Sequence, residues 1–167
     1  SISAVIQARG LEKLIREDNP IEAARWIKDS LDLAWRKMFR NPYIYCGYAW
    51  RAEALRVAAE REPKGASRQK AIKAAQAAAR TALWITKLYH TTRAQALREM
   101  GTTLAMQGKA EKARRYFDES IRVGESQDAT YEVAKTRLFR GRAGVQFDWL
   151  DAEQELTDAE QEIARMT

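Results

Sequence analysis

The chain has one cysteine, Cys46, and one histidine, His90. A lone cysteine rules out an internal disulfide and suits a reducing compartment, so a cytoplasmic location is expected. One Cys and one His are too few for the ligand sets of tetrahedral metal sites, and no metal is expected. His90 falls at a helix junction, where capping or a surface role is favoured over general-base work. Cys46 stands at an apolar helix position with no histidine near it in sequence, and reads as a small buried thiol, not a nucleophile. Gly141-Arg142-Ala143-Gly144 is too short for a phosphate-cradling loop and lacks its lysine signature. The carboxylates of DAEQELTDAEQE, residues 151–162, alternate with Gln at helical spacing and read as a solvated face. No run reaches the ~18 apolar residues of a membrane span. The opening SISAVIQARG lacks the basic and apolar regions of a signal peptide. Neither an enzymatic activity nor a cofactor is expected. The chain opens on Ser1 instead of Met, and is read as a piece of something longer.

Eight glycines and three prolines in 167 residues leave little to interrupt helices. Alanine is abundant, and the 31% of charged residues mix both signs, a composition that suits an all-α fold. Net charge is +6, unevenly spread. From residue 128 onward there are 5 basic and 9 acidic residues, leaving 24 basic and 14 acidic for the rest. A net +10 over residues 1–127 makes an acidic partner plausible there.

Apolar periodicity outlines eight helices and no strand. The first covers about residues 3–16, with Gly10 weakening its middle. Asp18-Asn19-Pro20 is a boundary, and Pro20 suits the first position of a second helix over about 20–39. Asn41-Pro42 repeats that punctuation before an aromatic third helix, about 42–61. Residues 62–65 break it, and Ser67 is a candidate cap for an alanine-rich fourth helix, about 67–87. The fifth and sixth helices meet at Gly108, which can adopt the left-handed conformation without steric cost. A seventh covers about 129–146 and an eighth about 149–166, with Asp148 as its cap.

Within 94–125 the pattern is sharpest. Leu97, Met100, Gly101 and Leu104 stand at offsets 0, 3, 4 and 7, and Ala113, Phe117, Ser120 and Ile121 face them from the next helix. Tyr43, Cys46, Gly47 and Trp50 repeat the first set of offsets. Ala152, Leu156 and Ala159 repeat the first three of the second set, 39 residues on from Ala113, and Ile163 continues their stripe. The first hairpin matches through Ala23, Ile27 and Ser30, and in the last Arg140 falls where a small residue is expected, with Gly141 one step later.

These residues resemble the tetratricopeptide repeat family, whose period is about 34 residues. The long, drifting repeats are similar to the helical tails of large bacterial signal-transducing ATPases of the STAND class. The resemblance implies four antiparallel hairpins stacked as a right-handed superhelix, a single repeat domain over 1–167. It further implies a protein-interaction scaffold, or the regulatory arm of a larger signalling protein. In such stacks the first helices of successive hairpins line a concave surface. That register nominates Tyr48, Arg51, Gln95, Arg98, Thr102 and Arg137, with Gly141, as its exposed positions. The arginines would clamp carboxylates of a protein or peptide, or of other domains of the same parent chain. Two alternatives come from other classes. The scattered arginines could bind nucleic acid. Trp35, Tyr43, Tyr45, Tyr48, Trp50 and Trp84 could line a small-ligand pocket.

Overall fold

The computed structural model describes residues 2–38 and 41–166. Among them every regular element is helical: α1 (Ile2–Ile15), α2 (Pro20–Arg36), α3 (Pro42–Tyr45), α4 (Gly47–Arg61), α5 (Ala66–Ile85), α6 (Arg93–Met106), α7 (Ala110–Ser126), α8 (Thr130–Gln146) and α9 (Ala152–Met166), with a 3-10 turn at His90–Thr92. Helices α1 and α2, α4 and α5, α6 and α7, and α8 and α9 pair as hairpins. The all-α reading holds. The chain, read from sequence as one repeat domain, divides into two compact units, Ser1–Thr92 and Arg93–Thr167.

In the first unit the prolines act as expected. Pro20 and Pro42 open α2 and α3, and Asn19 and Asn41 accept hydrogen bonds from the Glu22 and Tyr43 amides at 3.2 and 2.9 Å. Two expectations need correction. Ser67 is not a cap: α5 begins at Ala66, and the Ser67 hydroxyl donates to Glu62 at 3.0 Å. The expected third helix is divided at Cys46, whose carbonyl receives both the Ala49 and the Trp50 amide, at 3.1 and 3.3 Å. The end expected for the second helix, Phe39, lies outside the described residues. The core of this unit is Ile27, Leu31, Ala34 and Ile44, with Tyr48 and Trp50 packed on it, beside a small-residue cluster of Ala23, Ala24 and Ala54. Tyr45 is buried between Tyr48 and Tyr89, its ring centroid 6.2 and 4.7 Å from theirs.

The second unit carries α6 and α7, the hairpin in which the sequence pattern is sharpest. Gly101 lies against the Phe117 ring, and an added Cβ would come within 2.9 Å of it. The buried Ser120 hydroxyl donates to the Ala94 carbonyl at 2.7 Å, seven residues before Gly101. The first unit contains the same device. Gly10 faces Ile27, where a Cβ would meet the side chain at 2.6 Å, and Ser30 donates to Ser3, seven residues before Gly10, at 2.7 Å. Gly10 is therefore a close-packing position within a continuous α1. Gly141 performs the same task in the last hairpin, facing the Leu156 backbone at 2.9 Å. Gly47 breaks the pattern: it faces Gln7 and Ile27 of the preceding hairpin. Its offset echo of Gly101 is one of spacing, not of packing.

Three turns in the second unit share one geometry. Gly108, Asp128 and Asp148 have φ of 75°, 53° and 52°. The residue after each donates its amide five residues back: Lys109 to Leu104 at 3.0 Å, Ala129 to Gly124 and Trp149 to Gly144 at 2.9 Å. This is the Schellman closure of a helix C-terminus. Asp148 thus ends α8 instead of capping the last helix, which starts later, at Ala152.

Candidate functional site

The residues nominated for a concave groove meet different fates. In the first unit Tyr48 and Arg51 stand three apart on α4, both half-buried. Burial pushes the Tyr48 phenol up, with Tyr45 and Asp32 adding to the effect and Arg51 opposing it. Burial holds the Arg51 guanidinium below its ordinary value, against the pull of Asp32 and Tyr48. The Arg51 Nε is buried with no hydrogen-bond partner.

In the second unit the expected exposure of α6 is corrected. Gln95 and Thr102 are buried, and Arg98 is 0% exposed. The Arg98 Nη1 bonds the Glu132 carboxylate of α8 and its Nε lies 3.6 Å from Glu99, which is equally buried. The guanidinium also lies 5.9 Å from the Phe139 ring centroid. Thr102 donates to the Arg98 carbonyl at 2.9 Å. A cation this deep must be compensated, and Arg98 joins α6 to α8 as an internal ion pair. It cannot share a solvent-facing groove with Arg137, which lies on the surface.

Arg137 and Arg140, one turn apart on α8, build a ladder that sequence reasoning missed in part. Arg137 reaches Glu125 of α7 at 3.2 Å and Glu162 of α9 at 3.8 Å. Arg140 reaches Asp118 of α7 at 2.6 Å and Glu155 of α9 at 2.8 Å. Burial alone would lower the Arg140 guanidinium; its bonds to Glu155 and Asp118 outweigh burial and raise it. Each arginine braces α7 to α9 across α8. A cavity of about 460 Å³ runs along this ladder, walled by α9 and the turn before it, with Arg137, Arg140 and Arg114 opposite.

At one end of the cavity the ladder lacks a rung. Arg114 lies on α7 one turn before Asp118, where α8 has only Gly144. The ring of Trp149 stands there instead, 5.6 Å from the Arg114 guanidinium carbon. Arg114 has no carboxylate partner among the described residues. Beside Trp149, Leu150 is 89% exposed. The arrangement offers a free cation, an aromatic face and an apolar side chain around one opening.

Other sequence candidates are placed as follows. Cys46 is partly buried, and burial pushes its thiol up, with a backbone hydrogen bond opposing. His90 lies in the 3-10 turn. Among the described residues no group of three or more His, Cys, Asp or Glu is placed to hold a metal ion, and no helix is long and apolar enough to cross a membrane. Of the six aromatics proposed for a small-ligand pocket, Trp35, Tyr43 and Trp84 are exposed, while Tyr45, Tyr48 and Trp50 pack into the first unit's core. No protein family, characterised protein or solved structure matches the chain significantly.

Proposed function

We propose that the chain is a protein-interaction scaffold of the tetratricopeptide type, serving as an adaptor or as the regulatory arm of a larger cytoplasmic signalling protein. Right-handed stacking of its hairpins belongs to this reading, as does the view that it works by presenting surfaces and not by bond chemistry. The hairpin pairing and the repeated Gly/Ser contacts of the first and third hairpins support the architecture. The observation that carries the functional reading is the open end of the α7–α8–α9 cavity. A partner segment with a large apolar residue beside a carboxylate would set the apolar group on Trp149 and Leu150. Its carboxylate would meet Arg114, the cavity arginine without an acidic partner. Of the groove residues nominated from sequence, Arg137 contributes to this cavity.

Selection of a random peptide library against the whole chain tests the reading. Enriched peptides are expected to pair an Asp or Glu with a large apolar neighbour. Their affinity is expected to fall by roughly tenfold or more in Arg114→Glu and in Leu150→Asp, a loss typical of central contact residues. Both side chains are exposed, so the variants should keep the helical circular dichroism of the parent. Selected peptides that bind both variants as well as the parent would refute it.

A further inference from the structure

Helix α5 has no Asp or Glu anywhere in its sequence, ASRQKAIKAAQAAARTALWI. Its inner face is buried through Ile72, Ala75, Ala79, Ala82 and Ile85. Its outer face is not neutral. Ala74, Ala77, Thr81, Trp84 and Leu88 are all exposed, and they follow one another at intervals of 3, 4, 3 and 4 residues. Trp84 is 58% and Leu88 68% exposed. Leu88 continues the path of the helix because the turn after Ile85 keeps helix-like hydrogen bonds, Lys87 to Trp84 at 3.2 Å and Leu88 to Ile85 at 3.0 Å. That 3–4 alternation is the seam spacing by which one helix packs along another.

Lys73, Arg80 and Lys87 stand beside the seam, each seven residues from the next and each exposed. Among the described residues none of the three has an ion-pair or hydrogen-bond partner. Other helices of the first unit match some of their exposed cations internally, as Lys28 is by Asp32 and Arg25 by Glu22, whereas α5 has no acidic residue with which to do so. At 1.5 Å per residue the three charges lie about 10 Å apart in a line. A helix laid along the seam would present acidic side chains at the same heptad interval, and each would meet one cation. Nucleic acid fits less well. Its charges come far more densely than one per ~10 Å, and Trp84 is the one exposed aromatic residue on this face, with no second ring for successive bases.

We propose that this face of α5 docks an acidic amphipathic helix from a partner protein, with Trp84 and Leu88 as apolar anchors and Lys73, Arg80 and Lys87 as the charge register. The small residues Ala74 and Ala77 let the partner backbone approach closely at the other end. This surface is distinct from the cavity of the second unit, and its test leaves Arg114 and Leu150 in place.

The test uses the whole chain and a fluorescein-labelled 21-residue synthetic helix with Leu at its seam positions and Glu flanking them, alongside a scrambled peptide of the same composition. Anisotropy is expected to show saturable one-to-one binding of the first peptide and at least roughly tenfold weaker binding of the second, because register carries the specificity. The triple variant Lys73→Glu/Arg80→Glu/Lys87→Glu and the single variant Trp84→Ala are each expected to lose roughly tenfold or more, with circular dichroism unchanged. Equal binding of the scrambled peptide, no binding by the parent, or indifference to these variants would overturn the proposal. So would a single-stranded oligonucleotide of matched charge that binds more tightly through the same three cations. Self-association in sedimentation that the triple variant abolishes would likewise overturn it, by assigning the face to a second copy of the chain.

Discussion

Arg98 and Arg137 look alike in sequence, and their surroundings make them opposites. Arg98 is fully buried, paired with Glu132 and lying over Phe139. Arg137 is partly exposed and held by two longer contacts to carboxylates. Removing one partner of a buried pair typically costs about 3–5 kcal/mol, whereas a surface pair is worth about 0–1 kcal/mol. Arg98→Ala is therefore expected to lower the unfolding free energy by several kcal/mol, roughly five times the effect of Arg137→Ala, in urea titrations followed by circular dichroism. Similar midpoints for the two variants would show that Arg98 is not a buried pair. Alanine scanning of the groove nominated from sequence would mislead at this position, because lost binding would report lost folding. Nothing local in the sequence reveals the difference. Arg98 shares its helix with polar neighbours, and the carboxylate that holds it lies 34 residues away on another helix. By contrast the small-residue contact of Gly101 with Phe117 was legible, because both fall on the apolar faces of adjacent helices.

At the scale of elements, helix type and pairing were legible and the ends were less so. Periodicity outlines each long helix, and Asn-Pro punctuation fixes the starts of α2 and α3. Aspartate misled at the last turn because it serves both as an N-cap and, through its short polar side chain, as a residue tolerated in the left-handed region. Asp128 and Asp148 take the second role at the sites where the third hairpin uses Gly108. A non-glycine residue in that region carries a penalty that glycine avoids. Asp148→Gly is accordingly expected to raise stability by up to about 1 kcal/mol, and Gly108→Asp to lower it by a similar amount. A Cβ at Gly108 would meet nothing within 4 Å, so the second effect reports backbone conformation and not a clash. Paired urea titrations measure both. If Gly108→Asp left the midpoint unchanged, the left-handed closure would not be what ends α6.

For the whole molecule the division of the chain makes the charge asymmetry concrete. Residues 1–92 hold 17 basic and 9 acidic side chains, net +8, and residues 93–167 hold 12 and 14, net −2. Each unit also has its own means of cohesion. The first has the Ile27, Leu31, Ala34 and Ile44 core with the Tyr45–Tyr89 stack. The second has the Phe117–Gly101 contact, the Ser120 bonds to Ala94 and Thr136, and the arginine ladder of α8. Chains of this size are stable by only about 0.05–0.15 kcal/mol per residue, so loss of even one such feature is felt. If cohesion is internal to each unit, fragments 1–92 and 93–167 should each fold when expressed alone. Each is then expected to show a helical circular dichroism spectrum and a cooperative thermal transition of its own. At neutral pH the first should bind a cation exchanger and the second an anion exchanger, in keeping with their net charges. A fragment that lacks helix under conditions where the full chain is folded would show that its core depends on the remainder. Two folded fragments would allow the α5 face and the α7–α8–α9 cavity to be assayed apart, so that a ligand of one could be told from a ligand of the other.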